Sequence, residues 1–274
     1  MVKIADIKDQ ESLLVWLVDQ PREVSVWIAS RAATRILPLY WQAVLSEDWA
    51  RERDVTAIPG LRSVLISLVA AVLPTEDIVS AAASAARAAY AVRAMNSFIN
   101  AGASVAAIAA AKASSAGASE DPDAKAANAA ARAAAAVGSW APIIMWAPIR
   151  TDAEQAKGGR LPDALPLWPE VENPLEKDWS EIKAQVTTST DAADWQFWLD
   201  WYDALLAGRT MLSGPALRTW DLLEQIALID PETWNAGPET VNPIIREIWE
   251  RYKNSTSASG HAADPEPVSE DAKS

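Results

Sequence analysis

Cysteine is absent and histidine occurs once, at His261. The first absence excludes disulfides, thiolate nucleophiles and cysteine-ligated metal. The second excludes a Ser-His-Asp triad and a multi-histidine zinc site. Glycine is scarce, at 10 of 274 residues, and phenylalanine (2) and tyrosine (4) are scarcer still. Neither a GxxxxGK[ST] nor a GxGxxG pattern occurs, so no phosphate-cradling loop is encoded; Gly158-Gly159-Arg160 is too short to serve. Basic residues are outnumbered, 24 against 37 acidic, for a net charge of −13. That balance argues against nucleic acid as a partner, because phosphate contacts need clustered Lys and Arg. No basic stretch followed by an apolar run opens the chain, so a cytoplasmic location is expected.

Tryptophan fills the aromatic gap, with 14 residues, and alanine dominates the middle of the chain. Strand-like alternation is hard to find, and alanine is the strongest helix former. The expected fold is all-α. A helical array should cover 1–150, alanine-rich from 78. A proline-rich connector should follow at 151–190, then a compact Trp-rich helical module at 191–253 and a disordered acidic tail at 254–274.

Along the array, helices are expected over 11–18, 23–37, 40–50 and 61–73. The second and fourth end alike, in Ile36-Leu37-Pro38 and Val72-Leu73-Pro74, which hints at a helical repeat. Alanine helices over 78–113, interrupted near Gly102, and over 124–137 suggest an antiparallel hairpin with small residues at its seam. Two apolar stretches invite a membrane reading. Residues 61–73 fall short of the ~20 needed to span a bilayer, and the uncharged run 133–149 contains Pro142 and Pro148. A buried helix is the first expectation for 61–73 and a buried or interfacial segment for 133–149, and a membrane-associated effector using them is the alternative. Within the connector, Leu161, Leu165, Leu167, Trp168 and Val171 suggest a segment lying along the fold.

The Trp-rich module begins with Asp194-Trp195-Gln196-Phe197-Trp198-Leu199-Asp200-Trp201-Tyr202-Asp203 and a stop at Gly208. On a helical wheel the aromatics sweep a wide arc, and Gln196, Asp200 and Asp203 share the narrow polar side. Trp195, Trp198, Trp201, Tyr202, Asp200 and Asp203 are therefore the candidate partner-binding residues, since tryptophan is a preferred interface anchor. A paired-carboxylate role for Asp200 and Asp203, in acid–base work or holding Mg²⁺, is the enzymatic alternative; a solvated helix face is the plainer reading. Arg31, Arg35, Arg87 and Arg93 stand in apolar helices, where they could receive an anion or pair with acids. Downstream, 220–229 reads as apolar nearly all round. Asp230-Pro231 opens a short helix, and 238–252 carries one apolar face of Val241, Ile244, Ile245, Ile248, Trp249 and Tyr252.

The segment 194–202, with Trp220-Asp221-Leu222-Leu223-Glu224-Gln225-Ile226-Ala227-Leu228-Ile229, Trp234 and Gly237, resembles a C-terminal module of uncharacterised alphaproteobacterial proteins, for which no activity is implied. The alanine-rich stretch 81–136 looks like the helical arrays of bacterial immunity proteins, a resemblance that implies neutralising a toxin or serving a bacterial conflict system. No catalytic residue, cofactor or metal is expected. The expectation is a non-enzymatic protein whose partner is another protein, possessing no marker of its oligomeric state.

Overall fold

In the computed structural model, described here for residues 2–95, 112–113, 121–140, 142–159, 161–162, 164–169 and 171–258, the axis of the molecule is a helix of mixed composition rather than the most aromatic one. Helix α1 spans Gln10–Leu17 and α2 spans Arg22–Arg35, and every α2 residue from Val24 to Arg35 is buried. Its polar side chains are satisfied locally: the Ser30 hydroxyl donates to the Val26 carbonyl and the Thr34 hydroxyl to that of Ser30, both at 2.7 Å. Helix α3 (Leu37–Ser46) follows after Ile36 alone. Pro38 therefore opens α3 from its first turn, where a missing N–H costs nothing, instead of closing the helix before it. Helices α4 (Asp48–Glu52), α5 (Ile58–Val72) and α6 (Glu76–Met95) complete the first half. The resemblance between positions 36–38 and 72–74 does not mark a repeat, since α5 ends before an extended turn while α2 runs almost directly into α3.

Helix α7 spans Pro122–Trp140 and α8 spans Pro142–Ala156. Proline at the start of α8 divides the uncharged run 133–149 between two helices. No helix among the described residues is long and apolar enough to cross a membrane. Helix α8 also carries helical structure past position 150, so the expected boundary there falls inside an element. The remaining helices are α9 (Glu176–Thr187), α10 (Ala192–Ala207), α11 (Ala216–Ala227), α12 (Pro231–Asn235) and α13 (Pro238–Ala258). No strand occurs among the described residues, and the class is all-α.

Helix α2 is covered by α7, α5 and α8, and α5 by α6 and α11. Among the described residues, methyl-sized side chains let α7 lie close on α2, with Ala126, Ala127, Ala130 and Ala134 fully buried, while α6 lies on α5. Residues 96–111 of the expected 78–113 helix, with Gly102, lie outside the described residues, as does the tail from 259, including His261. The C-terminal helices join the same core, α9 against α3 and α11 against α5, so one apolar cluster runs from Ile7 to Trp249. Helix α11 is amphipathic rather than apolar all round: Leu222, Leu223 and Ile226 are buried, while Leu217 and, at the C-cap, Leu228 are exposed. On α13, Val241, Ile245, Ile248 and Trp249 face the core and Ile244 does not.

Candidate functional site

Helix α10 is capped as its sequence requires. Gly208 adopts φ +62°, a left-handed conformation that ends the helix, and a side chain there would overlap Pro166. Trp198, Trp201 and Tyr202 are at most 1% exposed, so a partner could not reach them on this surface. Trp195 is half-buried beside Trp41, with ring centroids 5.6 Å apart. The acidic residues nearby are occupied in orienting indoles and cations. Asp203 accepts from Trp179 Nε1 at 2.7 Å and pairs with Lys183 Nζ at 3.2 Å. Asp191 accepts from Trp195 Nε1 at 2.8 Å, and Asp194 pairs with Arg246 at 2.5 Å. Asp200 accepts from Gln196 at 2.8 Å. Asp200 and Asp203 thus serve different partners, and among the described residues no three acidic or histidine side chains converge as a metal site would require. In the interior, Trp198 Nε1 donates to Asn242 Oδ1 at 2.9 Å; an indole N–H buried this deeply needs such an acceptor.

The polar edge of α10 meets α13 in an open groove of about 510 Å³. Gln196 and Asp200 line one wall, and Arg246, Glu250 and Lys253 the other. Trp249 forms apolar floor between them, with the Lys253 ammonium 4.2 Å from the centre of its ring. Sequence reading found Asp200 and Gln196 but not the opposite wall. The charged residues of α13 carry no local sign of a binding role, and only the packing of α13 on α10 makes them half of a groove.

The second constellation is internal. Arg31 and Arg35, one turn apart on α2, both reach Asp152 of α8: Arg31 Nε at 2.7 Å from Oδ1, and Arg35 Nη1 at 2.6 Å from Oδ2. All three side chains are at most 2% exposed. Three further guanidinium nitrogens donate to backbone. Arg31 Nη1 and Nη2 donate to the carbonyls of Leu165 and Pro166 at 2.9 and 2.5 Å, and Arg35 Nε donates to that of Leu167 at 2.7 Å. The Leu167 N–H in turn donates to the Leu205 carbonyl of α10 at 3.2 Å. Two arginines therefore clamp the connector as a strap across α2 and α10. Each guanidinium also lies against an indole, Arg31 on Trp27 (5.2 Å) and Arg35 on Trp168 (5.9 Å). Burial pushes Arg31 below its ordinary pKa, and Asp152 opposes that shift. Nearby, burial pushes the Tyr202 phenol up, with Arg35 acting in the opposite direction.

The expected arginine pairing is thus realised at 31 and 35. Arg87 is exposed, and the Arg93 side chain lies outside the described residues. Sequence reading missed Arg62 of α5, which is 1% exposed, donates to the Ser84 hydroxyl at 3.2 Å and stacks on Trp234 at 5.3 Å. Burial, reinforced by Arg87 and opposed by Asp230, lowers its pKa to about 10. Comparison with known proteins finds no matching family model, no matching curated protein and no matching solved structure.

Proposed function

We propose that this chain acts by binding another protein, and that the α10–α13 groove is where the partner docks. The observation that carries this reading is the groove itself: an indole floor between walls bearing two acids and two bases, open to solvent. An aromatic floor supplies apolar contact, and interleaved charges of both signs select a partner by pattern rather than by net attraction. Asp200 belongs to this surface. Asp203, tied to Trp179 and Lys183 of α9, is not among the groove's lining residues.

The test is affinity capture from the native host with the wild-type chain and with an Asp200→Lys/Glu250→Lys variant as baits. Both substituted residues are partly exposed, so the fold should tolerate the changes. A protein held by the wild type and lost by the variant supports the reading. Equal capture by both baits, or capture by neither, overturns it.

A further inference from the structure

A second cavity lies beneath the strap, between α2, α5, α10 and α11. Its volume is about 30 Å³. A water needs roughly 10–15 Å³, so the space suits an occupant of two or three water volumes and is small for a tetrahedral oxyanion. Its charge is unexpected in so acidic a protein. The charged residues lining it are Arg31 and Arg209, and no carboxylate is among the lining residues. The nearest buried acid on this side, Asp152, already faces two guanidinium groups, leaving the Arg31–Asp152–Arg35 cluster with one positive charge in excess. Trp27, also on the wall, is 3% exposed and its Nε1 has no acceptor. A buried N–H left unmatched costs about 1–3 kcal/mol, so an acceptor in this space is favoured.

We propose that this cavity is a binding site for a monovalent anion of halide size, held by the Trp27 Nε1–H and by the fields of Arg31 and Arg209. Neutral water could accept from Trp27, but it would leave the excess positive charge uncompensated in a poorly solvated interior. An anion answers both the orphaned donor and the charge. Leu68, Ala204, Leu205 and Trp220 supply the apolar remainder of the wall, which disfavours strongly hydrated ions.

Two measurements on the full chain test this. Crystals grown in sodium bromide should show an anomalous bromide peak in the cavity. In solution, thermal unfolding at fixed ionic strength should move to higher temperature as gluconate is replaced by bromide, because a ligand of the folded state alone stabilises it by mass action. Arg209 is exposed, so Arg209→Gln should fold normally while raising the bromide concentration needed for half the effect severalfold. Trp27→Phe should remove most of the effect. Water density with no anomalous peak, or bromide and gluconate curves that coincide for the wild type, overturns the assignment. A bromide effect equal in wild type and both variants places the ion elsewhere and overturns it as well.

Discussion

Asp152→Asn is the most incisive perturbation of this fold. It preserves side-chain size and removes the one negative charge set between Arg31 and Arg35, whose nitrogens lie 2.7 and 2.6 Å from its two oxygens. The amide oxygen can still accept from one guanidinium, but the amide nitrogen then confronts the other, donor against donor. Two buried cations are left against dipoles alone. Removing one member of a buried ion cluster costs about 3–5 kcal/mol, because the partner charges remain desolvated. Against a total stability of about 5–15 kcal/mol, this is a large fraction. The corresponding fall in melting temperature is about 6–20 °C, taking roughly 2–4 °C per kcal/mol for a chain of this size. Guanidinium denaturation followed by circular dichroism would measure the loss directly, with Glu154→Gln, an exposed acid two residues further along α8, as the control expected within about 0.5 kcal/mol of wild type. A loss below about 1 kcal/mol for Asp152→Asn would refute the reasoning, since it would mean the arginines are not held buried by this carboxylate. Replacing all three side chains with apolar ones should not restore stability. The carbonyls of Leu165, Pro166 and Leu167 would then lose their donors, at about 1–3 kcal/mol for each one that water cannot reach.

Gly208→Ala should cost about 1–3 kcal/mol in the same denaturation assay, because it combines a left-handed φ with a collision against Pro166; an unchanged midpoint would contradict the packing of the strap. Asn242→Ala leaves the Trp198 indole N–H without its acceptor in the core and should lower stability by about 1–3 kcal/mol. An intact near-ultraviolet dichroism signal is expected, and a neutral effect on stability would argue that another acceptor is within reach. Burial raises the Tyr40 and Tyr202 phenols above their ordinary value of 10 in the folded chain. An unfolded chain releases those protons near pH 10 while the folded chain keeps them, so stability falls as pH rises past that point. Absorbance at 295 nm should therefore show two of the four tyrosines ionising only as the fold is lost; ionisation of all four near pH 10, with native dichroism, would sink the assignment.

The helical class was legible because its cause is local: alanine, few glycines and a 3.6-residue apolar period act over single turns. Asp230-Pro231 and Gly208 marked element ends correctly for the same reason. What the sequence concealed was which helix is central. Helix α2 carries three arginines, two serines, a threonine and a glutamate, a composition that reads as half-exposed, and the burial of its second half becomes permissible only through Asp152 and three carbonyls more than 100 residues away. Nothing local singles out Asp152 among 37 acidic residues. The wide aromatic arc of helix α10 was legible, but an arc that wide demands enclosure, and Trp198, Trp201 and Tyr202 therefore lie inside. The proposed docking groove is lined instead by Asp200 and Gln196 at the edge, and by α13 residues brought there by a tertiary contact. The alanine helices were found, but not that α6 would also lie on α5 and α7 on α2, since small residues announce close approach without naming the neighbour.

Because the two guanidinium groups grip main-chain oxygen atoms at 165–167, the lock is blind to what hangs from the ribbon it holds. Side chains at 165 and 166, which are not buried, are at liberty to drift among related sequences so long as the ribbon keeps its path. Substitution at 31 or 35 enjoys no such licence, and an archive of variants should record immobility in the receiver and wandering in what is received.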